Sequence, residues 1–256
     1  MDSVESHTPS GAAVIDRHLN TDHLQNDLKG RTVRGSAVTI ISQGLKFVLR
    51  IGSTAVLARL LVPEDFGLLG MVLVITGFAG MFRDAGLSMA TVQRKDITHE
   101  QVSNLFWINV ALSAGLMFLV AVSSPLVAWL YGEPRLTGIT IAVAGSFLFS
   151  GLTIQHQALL RRQMRFRAIA SIDVASMAFS VVVAIIMARL GYGFWSLVGM
   201  HLSAPMANAA LVWVMCRWRP SLPRKGTGIR PLLAFGGNLT ASRFLNYCTR
   251  NLDNLL

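Results

Sequence analysis

Residues 37–61 read AVTIISQGLKFVLRIGSTAVLARLL, an apolar run long enough to cross the hydrocarbon of a bilayer as a single helix. Lys46 and Arg50 sit at its middle, one helical turn apart. A cation at the centre of an inserted helix costs roughly 2.5 to 3.5 kcal/mol, so the pair opposes insertion by about 5 to 7 kcal/mol unless it faces water, a counter-ion or a ligand. Ionisable groups at that depth read as a functional site. Gln43, Lys46, Arg50 and Ser53 are spaced i, i+3, i+7 and i+10, which puts them on one helical face. Such a cationic stripe suits a phosphate or pyrophosphate, which Lys holds as a point charge and Arg grips bidentately. The competing reading is an internal ion pair with Asp173. The anion reading is preferred because two intramembrane cations face that one acid within six spans.

Composition places the rest of the chain in the same class. Hydrophobic residues make up 52% of the 256, charged residues 14%, and the mean hydropathy is +0.51, too apolar for an ordinary soluble domain. Further spans are expected at 66–82, 103–130, 136–160, 168–190 and 194–218, and a seventh opens near 231–237. The net charge of +10 does not point to nucleic acid, because the Lys and Arg residues fall in short clusters between apolar runs. Fifteen of them flank the amino-terminal tail and the loops after spans two, four and six, against Arg59, Arg135 and Arg189 in the intervening turns. That asymmetry predicts a cytoplasmic amino terminus and external acidic turns. Residues 1–34 carry no apolar signal region and are expected to be a disordered cytoplasmic tail, so span one serves as its own insertion signal. Cys216 and Cys248 have no metal-ligand spacing and read as small buried hydrophobes.

Smaller features have structural readings. Val62-Pro63-Glu64-Asp65, Tyr131-Gly132-Glu133-Pro134 and Gly191-Tyr192-Gly193 are tight external turns, with Pro63 at a first helical position and the acids at a positive helix start. Residues 83–101 have room for an amphipathic interfacial helix. Trp107 and Trp218 fall at cytoplasmic helix ends, and Trp129, Tyr131, Tyr192 and Trp195 at outer ones. Gln155, His156 and Gln157 are expected to hydrogen-bond at the interface, and Arg161, Arg162, Arg165 and Arg167 either to touch anionic lipid headgroups or simply to mark the positive-inside loop. His201, four residues before Pro205, reads first as packing and second as a proton-binding group.

The seventh span repeats the first. Arg243, Asn246, Arg250 and Asp253 follow the same spacing as the opening stripe, offset by 200 residues, and Ser42, Leu45 and Arg50 meet Ser242, Leu245 and Arg250. An even six-span unit followed by a similar helix is the mark of a parallel internal repeat. The expected fold is therefore an all-α polytopic membrane protein: a six-helix transmembrane lobe over 35–218, a basic cytoplasmic linker over 219–230, and over 231–256 the first helix of a truncated, pseudo-symmetric second lobe.

Three runs carry a family resemblance: Leu57-Ala58-Arg59-Leu60-Leu61-Val62-Pro63-Glu64-Asp65-Phe66-Gly67, Phe82-Arg83-Asp84-Ala85-Gly86-Leu87, and Ala158-Leu159-Leu160-Arg161-Arg162-Gln163-Met164-Arg165-Phe166. From residue 35 onward the chain resembles the lipopolysaccharide and exopolysaccharide exporters of the polysaccharide-synthase-type family, within the multidrug, oligosaccharidyl-lipid and polysaccharide exporter superfamily. The resemblance implies two six-helix lobes around a central cavity in the bacterial inner membrane, flipping undecaprenyl-diphosphate-linked sugar repeat units between leaflets. It implies as partners the lipid-linked oligosaccharide, membrane lipids, and the polysaccharide polymerase and chain-length machinery. No nucleic acid, metal or cofactor is expected, nor is the synthesis of a glycosidic bond. The diphosphate cavity would be lined by Gln43, Lys46, Arg50, Arg243 and Arg250, with Asp173, Asp253 and His201 as counter-ion or coupling groups.

Two alternatives stand beside this reading. An ion-coupled multidrug exporter of the same fold would carry unpaired acids, and here the cations outnumber Asp173. An integral membrane glycosyltransferase or polymerase would need placed carboxylates or a metal in a pocket, which outer loops this short cannot build.

Overall fold

The computed structural model describes residues 28–84, 86–94, 97–224, 226 and 228–252. The regular structure among the described residues is helical: α1 (Leu28–Leu60), α2 (Pro63–Gly80), α3 (Leu87–Gln93), α4 (His99–Val122), α5 (Ser124–Tyr131), α6 (Arg135–Arg162), α7 (Phe166–Arg189), α8 (Trp195–Met215) and α9 (Arg230–Leu252). Six helices (α1 from Gly35 onward, α2, α4, α6, α7 and α8) are long and apolar enough to cross a membrane. The protein is an all-α polytopic membrane protein.

The longest buried seam runs along α6, which packs against α4 and α8, while α8 also lies along α7 and α7 along α1. Leu136, Ile139, Val143, Leu159 and Leu160 of α6 are fully buried in two apolar clusters, one toward each end of the helix. α1 is the outlier, with only 17% of its apolar window buried, and its main packing is against α7. Although a two-residue turn joins α1 to α2, α2 packs instead on α6 and α8. The two helices diverge from their turn.

The turns at one end form as their residues dictate. Pro63 opens α2 at a position where no backbone N–H is needed, and the Val62 N–H donates to Asp65 Oδ2 at 3.3 Å. Arg135 reaches Glu133 at 2.7 Å and Glu64 at 2.5 Å, tying the start of α6 to the start of α2. That hydrogen bond holds the Glu133 carboxyl below its usual range.

Two spans end differently from expectation, one at each end of the bundle. The third span breaks at Ser123: α4 ends there and α5 starts afresh with Pro125 in its first turn. α8 stops at Met215, not Trp218, because Cys216 turns extended and Trp218 folds back into the core, 2% exposed, donating to His99 Nδ1 at 3.0 Å. The Cys216 thiol is buried as expected, and burial raises its pKa. Cys248 lies outside the described side chains. The helix found within 83–101 is α3, which buries Leu87, Ala90 and Thr91 against the bundle.

Three residues expected at the lipid interface are internal. His156 is fully buried between Trp213 and Trp218, at ring-centroid distances of 4.6 and 5.1 Å. Gln155 is buried and accepts a 2.7 Å bond from Thr91 Oγ1. Arg162 is 7% exposed and donates to the carbonyls of Thr91, at 3.0 Å, and Arg94, closing the carboxyl end of α3.

Candidate functional site

A cavity of about 1020 Å³ opens inside the bundle, walled by α1, α2, α6, α7 and α8. It matches the upper range of ordinary ligand pockets. The helical spacing read from α1 delivers Gln43, Lys46 and Arg50 to its wall, together with Asp173 of α7 and His201 of α8. Ser53, the fourth member of the stripe, is instead buried and donates to the Arg50 carbonyl at 2.9 Å. The side chains of Arg243 and Arg250, and residue Asp253, lie outside the described residues.

Lys46 is not free. Its Nζ lies 3.0 Å from Asp173 Oδ2, with the two side chains 23% and 32% exposed. The other carboxylate oxygen, Oδ1, accepts from Asn208 Nδ2 at 3.5 Å, and Asn208 Oδ1 accepts from Gln157 Nε2 at 2.9 Å. A polar chain thus runs from α1 through α7 and α8 to α6. The internal-pair reading of the stripe therefore describes Lys46, and it does not describe Arg50, which lines the same cavity and makes no ion pair among the described residues.

Several lining groups were missed in the sequence. Ser146, Ser150 and Thr153 of α6, with Gln157, follow helical spacing along one face, as do Ser176 and Ser180 with Asp173 on α7. Arg83 also faces the cavity, from the turn after α2. Its Nε is buried without a hydrogen-bond partner. Burial lowers its pKa, and the neighbouring Asp84 opposes that shift only in part. An arginine cannot lose its proton in a protein, so among the described residues the wall carries Lys46, Arg50 and Arg83 against the single acid Asp173. The excess is cationic, which favours an anion carrying more than one charge.

A helical membrane protein with a cationic internal cavity is the class the fold and the site define. The chain belongs to the polysaccharide biosynthesis protein family, whose model matches residues 56–256. It is 26% identical over 235 residues to the lipopolysaccharide biosynthesis protein WzxC of Escherichia coli K12, covering 90% of this chain and 47% of that protein. It is 28% identical over 224 residues to the teichuronic acid biosynthesis protein TuaB of Bacillus subtilis 168, covering 87% and 46%. Over 214 residues it is 28% identical to the succinoglycan biosynthesis transport protein ExoT of Rhizobium meliloti 1021, covering 80% and 41%. The chain spans about half the length of these curated relatives. No solved structure matches it.

Proposed function

We propose that this chain forms one lobe of an exporter that flips undecaprenyl-diphosphate-linked oligosaccharide repeat units across the bacterial inner membrane for lipopolysaccharide or exopolysaccharide synthesis, with its amino terminus in the cytoplasm. The observation that carries the reading is Arg50, which makes no ion pair among the described residues, beside the Lys46–Asp173 pair in a cavity of about 1020 Å³. A diphosphate offers Arg50 a bidentate acceptor and offers Lys46 more negative charge than one carboxylate does. The divergence of α1 from α2 suits an amphiphile whose headgroup enters the cavity while its tail stays in hydrocarbon. Relatives named for lipopolysaccharide, teichuronic acid and succinoglycan biosynthesis support a polysaccharide cargo. Asp173, the acid that an ion-coupled drug exporter would leave open for a cation, is already held by Lys46 and Asn208.

The test is Lys46→Gln combined with Arg50→Gln in the full-length protein. Surface polysaccharide is expected to be lost while membrane levels of the protein stay normal, and Arg189→Gln, an exposed arginine at the far end of α7, is expected to have no effect. Undiminished polysaccharide in the double variant would overturn the proposal.

A further inference from the structure

Arg83 stands apart from the other cavity cations in position and in chemistry. It lies beyond the end of α2, in a turn at the basic end of the bundle, and not within a spanning helix. Gly35, where α1 meets Phe166, marks the same end. At 1.5 Å of rise per residue, Lys46 is about 16 Å further in along α1, and Arg50 about 6 Å beyond that. The cavity therefore carries cations at two depths, Arg83 at its basic end and Lys46 and Arg50 further along α1.

The acid next in sequence does not neutralise Arg83. Asp84 is committed to α3: its Oδ1 accepts the Ser88 N–H at 2.9 Å and its Oδ2 accepts the Ser88 hydroxyl. Both bonds hold the carboxylate against the first turn of α3. Arg83 is left lining the cavity with no ion pair among the described residues and a buried Nε without an acceptor. A buried guanidinium N–H left unbonded is costly, so the charge of Arg83 lacks a full set of partners in the structure.

We propose that Arg83 is the entry receptor of the cavity: it takes the diphosphate headgroup at the basic end and passes it along to Lys46 and Arg50. This rests on the diphosphate reading above. A cation at an entrance acts mainly on the association rate and its salt dependence, whereas cations at the bound position act on dissociation.

The experiment follows binding of farnesyl diphosphate, and separately of inorganic pyrophosphate, to the full-length protein in nanodiscs of fixed phosphatidylglycerol content, by stopped-flow tryptophan fluorescence. Arg83→Gln is expected to slow association of both probes about five- to ten-fold at low salt, with the difference shrinking toward two-fold above physiological ionic strength. Dissociation should change less than about two-fold, and Arg83→Lys should restore most of the rate because the charge remains. Arg50→Gln should instead speed dissociation. An association rate within two-fold of the parent for Arg83→Gln, or a failure of Arg83→Lys to restore it, overturns the entry role while leaving the cavity reading intact. If neither Lys46→Gln nor Arg50→Gln weakens either probe, the diphosphate reading itself falls.

Discussion

At the scale of single residues, the cavity turns on how strongly Lys46 and Asp173 hold each other. Their 3.0 Å contact is only partly buried, so water screens it and an anion can compete for the ammonium. Removing one partner leaves the other charged beside hydrocarbon, which costs more than removing both. Lys46→Gln and Asp173→Asn should each lower thermal stability in detergent, and the double variant should recover part of the loss, with a coupling on the order of 1 kcal/mol. Strictly additive losses would show that the pair contributes nothing. Lys46, Arg50 and Asp173 could be picked out in the sequence because charges stand out in apolar spans and α-helical spacing assigns them a face. The serines that share the wall could not. A serine in a membrane helix satisfies itself by donating to a carbonyl one turn back, as Ser171 and Ser180 do to Ala168 and Met177, so its presence signals nothing about a cavity.

At the scale of elements, the basic end shows why neighbouring arginines cannot be read alike. Arg161 and Arg162 share a dipeptide, yet Arg161 is exposed, while Arg162 is buried and holds the last carbonyls of α3. Hydrogen bonds to a charged group are worth about 1.5–3 kcal/mol, and their loss here would also strand buried carbonyls. Arg162→Gln is therefore expected to lower the unfolding temperature by several degrees, by about 2 kcal/mol, and Arg161→Gln to leave it within a degree. Equal shifts in differential scanning fluorimetry would refute this division of labour. Positive-inside patterning counts both residues as loop charges, so the difference appears only once α3 has docked on α6. The breaks at Ser123 and Met215 were hidden for a related reason. Hydropathy runs smoothly across both, and what ends the helices is local: Pro125 opens a new first turn, and Trp218 leaves the helical path for the aromatic cluster around His156.

At the scale of the molecule, the question is how α9 is attached to the bundle before it. The segment after α8 is clasped to α4: Asn104 brackets the Arg224 backbone, donating at 2.7 Å and accepting at 2.9 Å, and Trp107 Nε1 reaches the Ser221 carbonyl at 2.9 Å. α9 then lies on α3, and Gly86, just before α3, comes close to the backbone of Gly236 in α9. Gly86 has φ +67°, and a Cβ built on it would stand 2.5 Å from the Gly236 carbonyl oxygen, a backbone atom that cannot swing aside. Gly132 offers the matching control, with φ +65° and nothing within 4 Å of a built Cβ. Gly132→Ala should cost only the left-handed backbone term, about 1–2 kcal/mol. Gly86→Ala should cost that and also push α9 off α3, exposing Leu232, which is 2% exposed in its packed position. Hydrogen exchange across the first turns of α9 is expected to quicken in Gly86→Ala and stay at the parent rate in Gly132→Ala, and surface polysaccharide should fall only in the former. If the two variants exchange alike, this glycine contact does not hold α9 in place, and the strap between Ser221 and Arg224 must do so alone.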